Sequence, residues 1–118
     1  MKAIQITETR RMNVVEMDRP QCRPDEVLLK MHYVGFCGSD LNTWRGQNLM
    51  AKAQVIPGHE IGAEIVGVGA EVPATLRKGM IVTVNPYTNC GVCPACRSRR
   101  YNACEHNETL GVQRDGAM

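Results

Sequence analysis

The sequence predicts a mainly β fold with one irregular, cysteine-rich lobe towards its C-terminal end. Short segments alternate apolar and polar residues with the period of two that is typical of half-buried strands. Eleven glycines and six prolines are spread along the 118 residues, which indicates many turns. Four of the six cysteines fall between positions 90 and 104. Because a chain of this length can bury one core, we interpret residues 1–118 as a single domain, with the lobe at 85–107.

The predicted strands lie between clear turn signals. Five segments have the alternation or the β-branched composition of strands: 2–6, 14–17, 26–34, 61–68 and 80–84. The first two are close enough to form a hairpin through the polar turn at 9–11. A short helical turn is expected between the third and fourth strands, from Ser39 to Trp44, with Ser39 as its N-cap and Gly46 as its stop.

The clustered cysteines have the spacing of a metal site. Cys90, Cys93, Cys96 and Cys104 follow the order Cys-x2-Cys-x2-Cys-x7-Cys. Cysteines with two residues between them cannot easily pair across so tight a turn, whereas their thiolates can converge on one tetrahedral Zn²⁺ at about 2.3 Å. We therefore expect a structural zinc ion in this lobe. We also expect an irregular loop rather than a helix or strand, because metal binding contributes roughly 10–16 kcal/mol in small zinc peptides.

A disulfide framework is the alternative to zinc. Six cysteines are an even number, and a short secreted chain could contain three bridges. The first residues, MKAIQ, lack the apolar core and small-residue cleavage site of a secretory signal. We therefore expect a reducing, cytoplasmic location, in which thiols stay free.

The composition argues against two classes of partner. Fourteen Lys and Arg against twelve Asp and Glu give a formal charge of +2, which zinc-bound thiolates would lower further. No large positive field is therefore expected to recruit nucleic acid. No apolar segment approaches the ~20 residues that cross a bilayer, so no membrane contact is expected. The one basic run, at 97–100, is interpreted as a solvated face of the lobe, with a partner-docking surface as the alternative.

A second group of possible metal ligands consists of Cys37, His59 and Glu60. They lie just after one predicted strand and just before another. Their spacing alone is weak support for a site, because a lone cysteine is usually a small buried hydrophobic residue and a histidine after a Pro-Gly turn is usually a surface residue. Ser39 and Asp40 lie two and three positions after Cys37, and they could equally form an ordinary turn or helix cap.

Three motifs occur in a fixed order along the chain: GFCGSD at 35–40, PGHEIG at 57–62 followed by VGVG at 66–69, and the four-cysteine lobe. Together they resemble the N-terminal part of the zinc-dependent medium-chain alcohol dehydrogenases, especially the sorbitol and threonine dehydrogenase branch. The resemblance covers nearly the whole chain. It implies a GroES-like fold, which is a partly open β-barrel with an irregular zinc-binding lobe, incomplete here at the C-terminus.

The resemblance also implies a role for each residue of the second group. Cys37 and His59 would bind a catalytic zinc ion, with Glu60 either as a ligand or exchanging with substrate or water. An open position on the ion would let it lower the pKa of an alcohol for hydride transfer to NAD or NADP. Ser39 matches the hydroxyl that receives the alcohol proton, and Asp40 matches the carboxylate that hydrogen-bonds the zinc-bound imidazole.

The implied substrate is a small-molecule secondary alcohol, such as a polyol, a sugar acid or a hydroxy amino acid. Asn42 departs from the family, in which a histidine often continues the proton relay at this position. An amide cannot take up a proton at neutral pH, so either the relay here ends through water or the ribose, or the substrate differs.

The third catalytic zinc ligand and the Rossmann cofactor domain of the family are expected beyond Met118. We therefore expect the 118-residue chain to be inactive alone, since hydride transfer needs a nicotinamide held against the substrate. Full-length members are usually homo-oligomers, either dimers or tetramers. Two other functions remain open, namely a stand-alone zinc-binding interaction module and a non-catalytic GroES-like scaffold.

Overall fold

A computed structural model describes all 118 residues and confirms the mainly β prediction. The elements in chain order are β1 (Lys2–Glu8), β2 (Arg11–Glu16), β3 (Val27–Gly35), α1 (Gly38–Trp44), β4 (Glu60–Val68), β5 (Ile81–Thr83) and α2 (Pro94–Arg97), followed by a single 3₁₀ turn at Tyr101–Ala103. The expected hairpin is present, since β1 and β2 pair antiparallel. No helix is long and apolar enough to cross a membrane.

The strands form two separate sheets that do not close into a barrel. The β1–β2 hairpin is one sheet, and β3, β4 and β5 form an antiparallel sheet in the order β3-β4-β5. The last residue of β3, Gly35, pairs with the first residue of β4, Glu60. Cys37, which follows β3, and His59, which precedes β4, therefore both lie at this end of the β3–β4 pair.

The core lies between the larger sheet, β1 and the loop before β4. Alternate residues of β4, namely Ile61, Ala63 and Ile65, are buried, as the period of two in a strand requires. Ile65 is 1% exposed, and burying a side chain of this size stabilises the fold by about 1.5–3 kcal/mol. The other buried apolar residues include Ala3 and Ile6 of β1 and the adjoining pair Val55 and Ile56.

The last four residues, 115–118, pack along residues 56–58, and we call them the C-terminal strap. Three successive backbone amides of the strap donate to carbonyl oxygens of that loop: Gly116 to Ile56 (2.7 Å), Ala117 to Gly58 (3.0 Å) and Met118 to Pro57 (3.1 Å). The strap also reaches β1, because the amide of Ile4 donates to the carbonyl oxygen of Met118 at 3.0 Å. It therefore connects the hairpin to the loop that precedes β4.

Asp115 anchors the strap through its side chain. Its Oδ1 accepts from the amide of Ile56 (3.0 Å) and its Oδ2 from Lys52 Nζ (2.8 Å). Burial alone would raise the pKa of Asp115, but the hydrogen bonds from Lys52 and Ile56 outweigh it and hold this pKa below its usual value. The ionised form of Asp115 is therefore favoured more in the folded chain than in the unfolded chain.

We expect Asp115→Asn to destabilise the fold by about 1 kcal/mol at pH 7, because it removes the charge of an exposed, hydrogen-bonded pair. A carboxyl group whose pKa is lower in the folded than in the unfolded chain stabilises the fold at pH values above the unfolded pKa of about 3.9. This stabilisation is lost as the pH falls through the folded-state pKa. The difference in unfolding free energy between the two proteins should therefore be constant from pH 7 to 5 and shrink below about pH 4. Urea titrations across this range measure it, and a difference independent of pH would contradict this account.

Two local expectations were wrong. The N-cap of α1 is Cys37 rather than Ser39, because Gly38 is already helical and the carboxylate of Asp40 accepts from the amide of Cys37 at 2.9 Å. The cysteine lobe is not entirely irregular, since it contains α2 and the 3₁₀ turn. Cys93 caps α2 by accepting from the amide of Cys96, and Pro94 supplies a backbone angle suited to the first helical turn.

Candidate metal centres

The four cysteines of the lobe converge on one point. Their Sγ atoms all lie within 4.8 Å of one another, with 4.0 Å between those of Cys90 and Cys96 and 4.0 Å between those of Cys93 and Cys104. Four sulfurs at about 2.3 Å from a tetrahedral zinc ion would be roughly 3.8 Å apart, whereas a disulfide needs about 2.05 Å. The spacing therefore fits one zinc ion, and all six cysteines of the chain are free thiols.

Backbone amides surround these thiols and favour their charged form. The amides of Cys90 and His106 both donate to Cys104 Sγ at 3.3 Å. The amides of Cys96 and Glu105 lower the pKa of Cys93 to about 6. Because thiolates are the form that binds a metal, the turns of the lobe prepare it for a cation.

Cys96 is the exception within the lobe. Burial raises the pKa of its thiol to about 12, so this thiol keeps its proton at neutral pH in the absence of a cation. A divalent ion that bound all four sulfurs would displace that proton, as metal binding to thiols ordinarily does.

The second group of ligands comes together where β3 ends and β4 begins. Three possible ligand atoms lie within 4.8 Å of one another, one each from Cys37, His59 and Glu60. Cys37 is placed by the start of α1, and Glu60 by its pairing with Gly35 across the sheet. Thiolate, imidazole and carboxylate together form a donor set that suits zinc, and three such ligands leave one position open.

Asp40 ties the two halves of this group together. It is 1% exposed, and its Oδ2 accepts from the amide of Cys37 at 2.9 Å while its Oδ1 accepts from the amide of Gly58 at 3.1 Å. One buried carboxylate therefore connects the residue that carries the thiol to the turn that carries the imidazole. Charge-assisted hydrogen bonds of this kind are stronger than neutral ones.

The ring of His59 lies between Asp40 and Ser39. Its Nδ1 is buried without a hydrogen-bond partner and lies 3.6 Å from Asp40 Oδ1, slightly beyond hydrogen-bonding distance. Its Nε2 lies 3.5 Å from Ser39 Oγ, which is also 3.5 Å from Cys37 Sγ. A proton on Nδ1, facing the carboxylate, leaves Nε2 free to bind a metal on the side where the thiol and the hydroxyl lie.

Gly35 allows the carboxylate of Glu60 to reach this group. A Cβ atom built on Gly35 would overlap Oε2 of Glu60 and lie 2.9 Å from its Cβ. The carboxylate of Glu60 therefore occupies the space that a side chain at position 35 would fill. Gly35 belongs to the GFCGSD motif at 35–40, but the motif alone does not predict this role.

His32, Cys22 and the basic run lie outside both groups of ligands. His32 Nε2 is 3.2 Å from Glu64 Oε2 on an exposed part of the sheet. Cys22 Sγ donates to the carbonyl oxygen of Glu26 at 3.1 Å. The arginines of the basic run at 97–100 are exposed and form no ion pair.

Comparison with known proteins identifies related sequences and structures. The sequence profile of the alcohol dehydrogenase GroES-like domain matches residues 23–118. L-Galactonate-5-dehydrogenase of Escherichia coli strain K12 is 44% identical over 94 residues, which cover 80% of this chain and 27% of that protein. Sorbitol dehydrogenase of Bacillus subtilis strain 168 is 39% identical over an alignment that covers 100% of this chain and 34% of that protein.

A solved structure agrees closely with this fold. An alcohol dehydrogenase of Escherichia coli CFT073, complexed with the cofactor NADH, matches with a TM-score of 0.89 and 34% identity. The match covers 99% of this chain and 34% of that chain. The chain thus spans about a third of the length of the relatives that it matches.

Proposed function

Because the chain belongs to the alcohol dehydrogenase GroES-like domain family, we propose that it is the catalytic-domain part of a zinc-dependent oxidoreductase. The reaction is the oxidation of a secondary alcohol to a ketone with NAD or NADP. The observation that carries this proposal is the convergence of Cys37, His59 and Glu60 within 4.8 Å, beside the hydroxyl of Ser39. A lone structural zinc lobe would not need this second group.

Two zinc ions fit the residues present. Cys90, Cys93, Cys96 and Cys104 would hold the structural ion, since all four positions of a tetrahedron are filled by thiolates. Cys37 and His59 would hold the catalytic ion, with Glu60 as a third ligand or as one that gives way to substrate. When bound, the catalytic zinc supplies the Lewis acidity that lowers the pKa of an alcohol.

Ser39 is the residue of this chain suited to receive the alcohol proton. Its hydroxyl is not used as a helix cap, because Cys37 occupies that position. It instead lies 3.5 Å from both Cys37 Sγ and His59 Nε2, next to two of the candidate metal ligands. Asn42 is exposed on α1 and cannot take up the proton. Either water or the ribose of a bound cofactor would therefore accept the proton from Ser39, or the substrate differs from that of relatives with a histidine at this position.

The relatives support a polyol or a sugar acid as the substrate class, since an L-galactonate dehydrogenase and a sorbitol dehydrogenase are both among them. A polyol or sugar acid is therefore the first substrate to test. The cysteines of both candidate zinc sites are unpaired, as in a reducing compartment, and this supports the proposed cytoplasmic location. We infer a homo-oligomer, dimer or tetramer, for the full-length protein, as is usual in the family.

The test of this function is NAD(P)H formation from a panel of polyols and sugar acids. We expect the 118-residue chain alone to give none. We expect the chain joined to the rest of the Escherichia coli L-galactonate dehydrogenase, in place of the segment that it matches, to oxidise at least one. In the joined protein, Ser39→Ala should lower kcat about 10²–10⁴-fold with zinc content unchanged, because it removes a proton acceptor and no metal ligand. A folded, zinc-loaded joined protein without activity on any alcohol would contradict the proposed function.

A further inference from the structure

The turn that carries His59 is held on two sides. On one side, the amide of Gly58 donates to Asp40 Oδ1 at 3.1 Å. On the other side, the amide of Ala117 donates to the carbonyl oxygen of Gly58 at 3.0 Å. This oxygen belongs to the peptide group between Gly58 and His59. The backbone immediately before the imidazole is therefore positioned by a segment almost sixty residues later in the chain.

This contact is possible only because Gly116 has no side chain. A Cβ atom on Gly116 would overlap the carbonyl oxygen of Gly58 and lie 2.6 Å from that of Pro57. A Cβ on Gly111 would lie 2.9 Å from the amide nitrogen of Gly58. The atoms that would be struck are backbone atoms, which cannot rotate away as the end of a long side chain can. An alanine at either position would therefore displace the strap or the turn before His59.

We propose that Gly116 is a positioning residue for the metal ligand His59, acting through the C-terminal strap. The proposal rests on the proposed function, because it takes Cys37, His59 and Glu60 as a metal site. Gly116 touches no ligand atom. It allows the strap close enough to form its three hydrogen bonds to residues 56–58, and these fix the direction in which the chain enters His59. The four-cysteine lobe takes no ligand from this turn, so its metal affinity should not depend on Gly116.

The experiment is a titration of the chain with Co²⁺ after the lobe has been filled with one equivalent of zinc. In the wild type, Co²⁺ occupies the second site and gives an absorption spectrum that reports both thiolate and imidazole ligands. We expect Gly116→Ala to lower the Co²⁺ affinity of this site about 10- to 100-fold, the range seen when residues that orient metal ligands are altered. The spectrum at saturation should also change, because the imidazole no longer faces the ion. Zinc in the lobe should be retained.

Gly79→Ala is the matched control. Gly79 has a φ of +86° and nothing within 4 Å of the added Cβ, so this variant has backbone strain without touching the site. Asp115→Ala is a milder second variant, which removes the side-chain anchor of the strap and should weaken Co²⁺ binding in the same direction but less. If Gly116→Ala does not fold, Asp115→Ala tests the role of the strap in its place.

Each outcome is decisive. Wild-type affinity and spectrum in a folded Gly116→Ala variant would overturn the proposal, as would an equal loss in Gly79→Ala. If Gly116→Ala does not fold, wild-type Co²⁺ binding by Asp115→Ala would overturn it. A wild-type chain that takes no Co²⁺ beyond the zinc-filled lobe would instead overturn the proposed metal site, and this inference with it.

Discussion

Replacing Cys37 by serine is expected to lower the zinc content of the purified chain from two ions to one. The two clusters share no residue, so removing the thiolate of one leaves the four sulfurs of the other intact. A serine hydroxyl is a poor zinc ligand at neutral pH, and His59 and Glu60 alone provide only two protein ligands. Elemental analysis on protein purified without added metal measures the loss directly.

Two further variants separate this result from a general effect on folding. Cys22→Ser removes a half-buried thiol that lies outside both clusters, and it should leave both ions bound. Cys96→Ser should remove the ion of the lobe, because it takes away one of four converging thiolates, and leave the other ion in place. One zinc ion in the wild type, unchanged by Cys37→Ser, would mean that only the lobe binds metal in this chain.

The strand pattern was readable from the sequence because each strand is bounded by turn residues. The predicted strand at 61–68 became β4, with Glu60 added at its start. Gly79, immediately before the predicted strand at 80–84, has a φ of +86°, a turn conformation that glycine adopts without a penalty. The cysteine spacing likewise pointed to a cluster that the structure brings together.

The parts that sequence reasoning missed depend on contacts between distant segments. The N-cap of α1 is Cys37 because a carboxylate three residues later accepts its amide, a competition that a list of favoured capping residues does not reveal. The packing of Gly116 on Gly58 links positions far apart in the chain, and no periodicity connects them. The only signal was the presence of glycines at 111 and 116. The roles of the individual site residues remain predictions.

Asp40→Ala is expected to have the largest effect on stability of any change near the second site. The side chain is 1% exposed and accepts from two backbone amides, those of Cys37 and Gly58. Its removal leaves the buried amide of Gly58 and the half-buried amide of Cys37 without a partner, and each such loss costs about 1–3 kcal/mol. The free energy of unfolding should therefore fall by roughly 2–6 kcal/mol, a large part of the 5–15 kcal/mol that is typical of a folded domain.

The same variant should also lose the metal of the second site, because Asp40 connects the loop of the thiol to the turn of the imidazole. Asp40→Asn gives an intermediate result: its amide oxygen can satisfy one of the two donors, while its NH₂ group faces the other. Asp25→Ala, at an exposed turn position, is the matched control and should change neither stability nor zinc content measurably. Equal urea midpoints for Asp40→Ala and Asp25→Ala would show that the buried carboxylate does not hold the two halves of the site together.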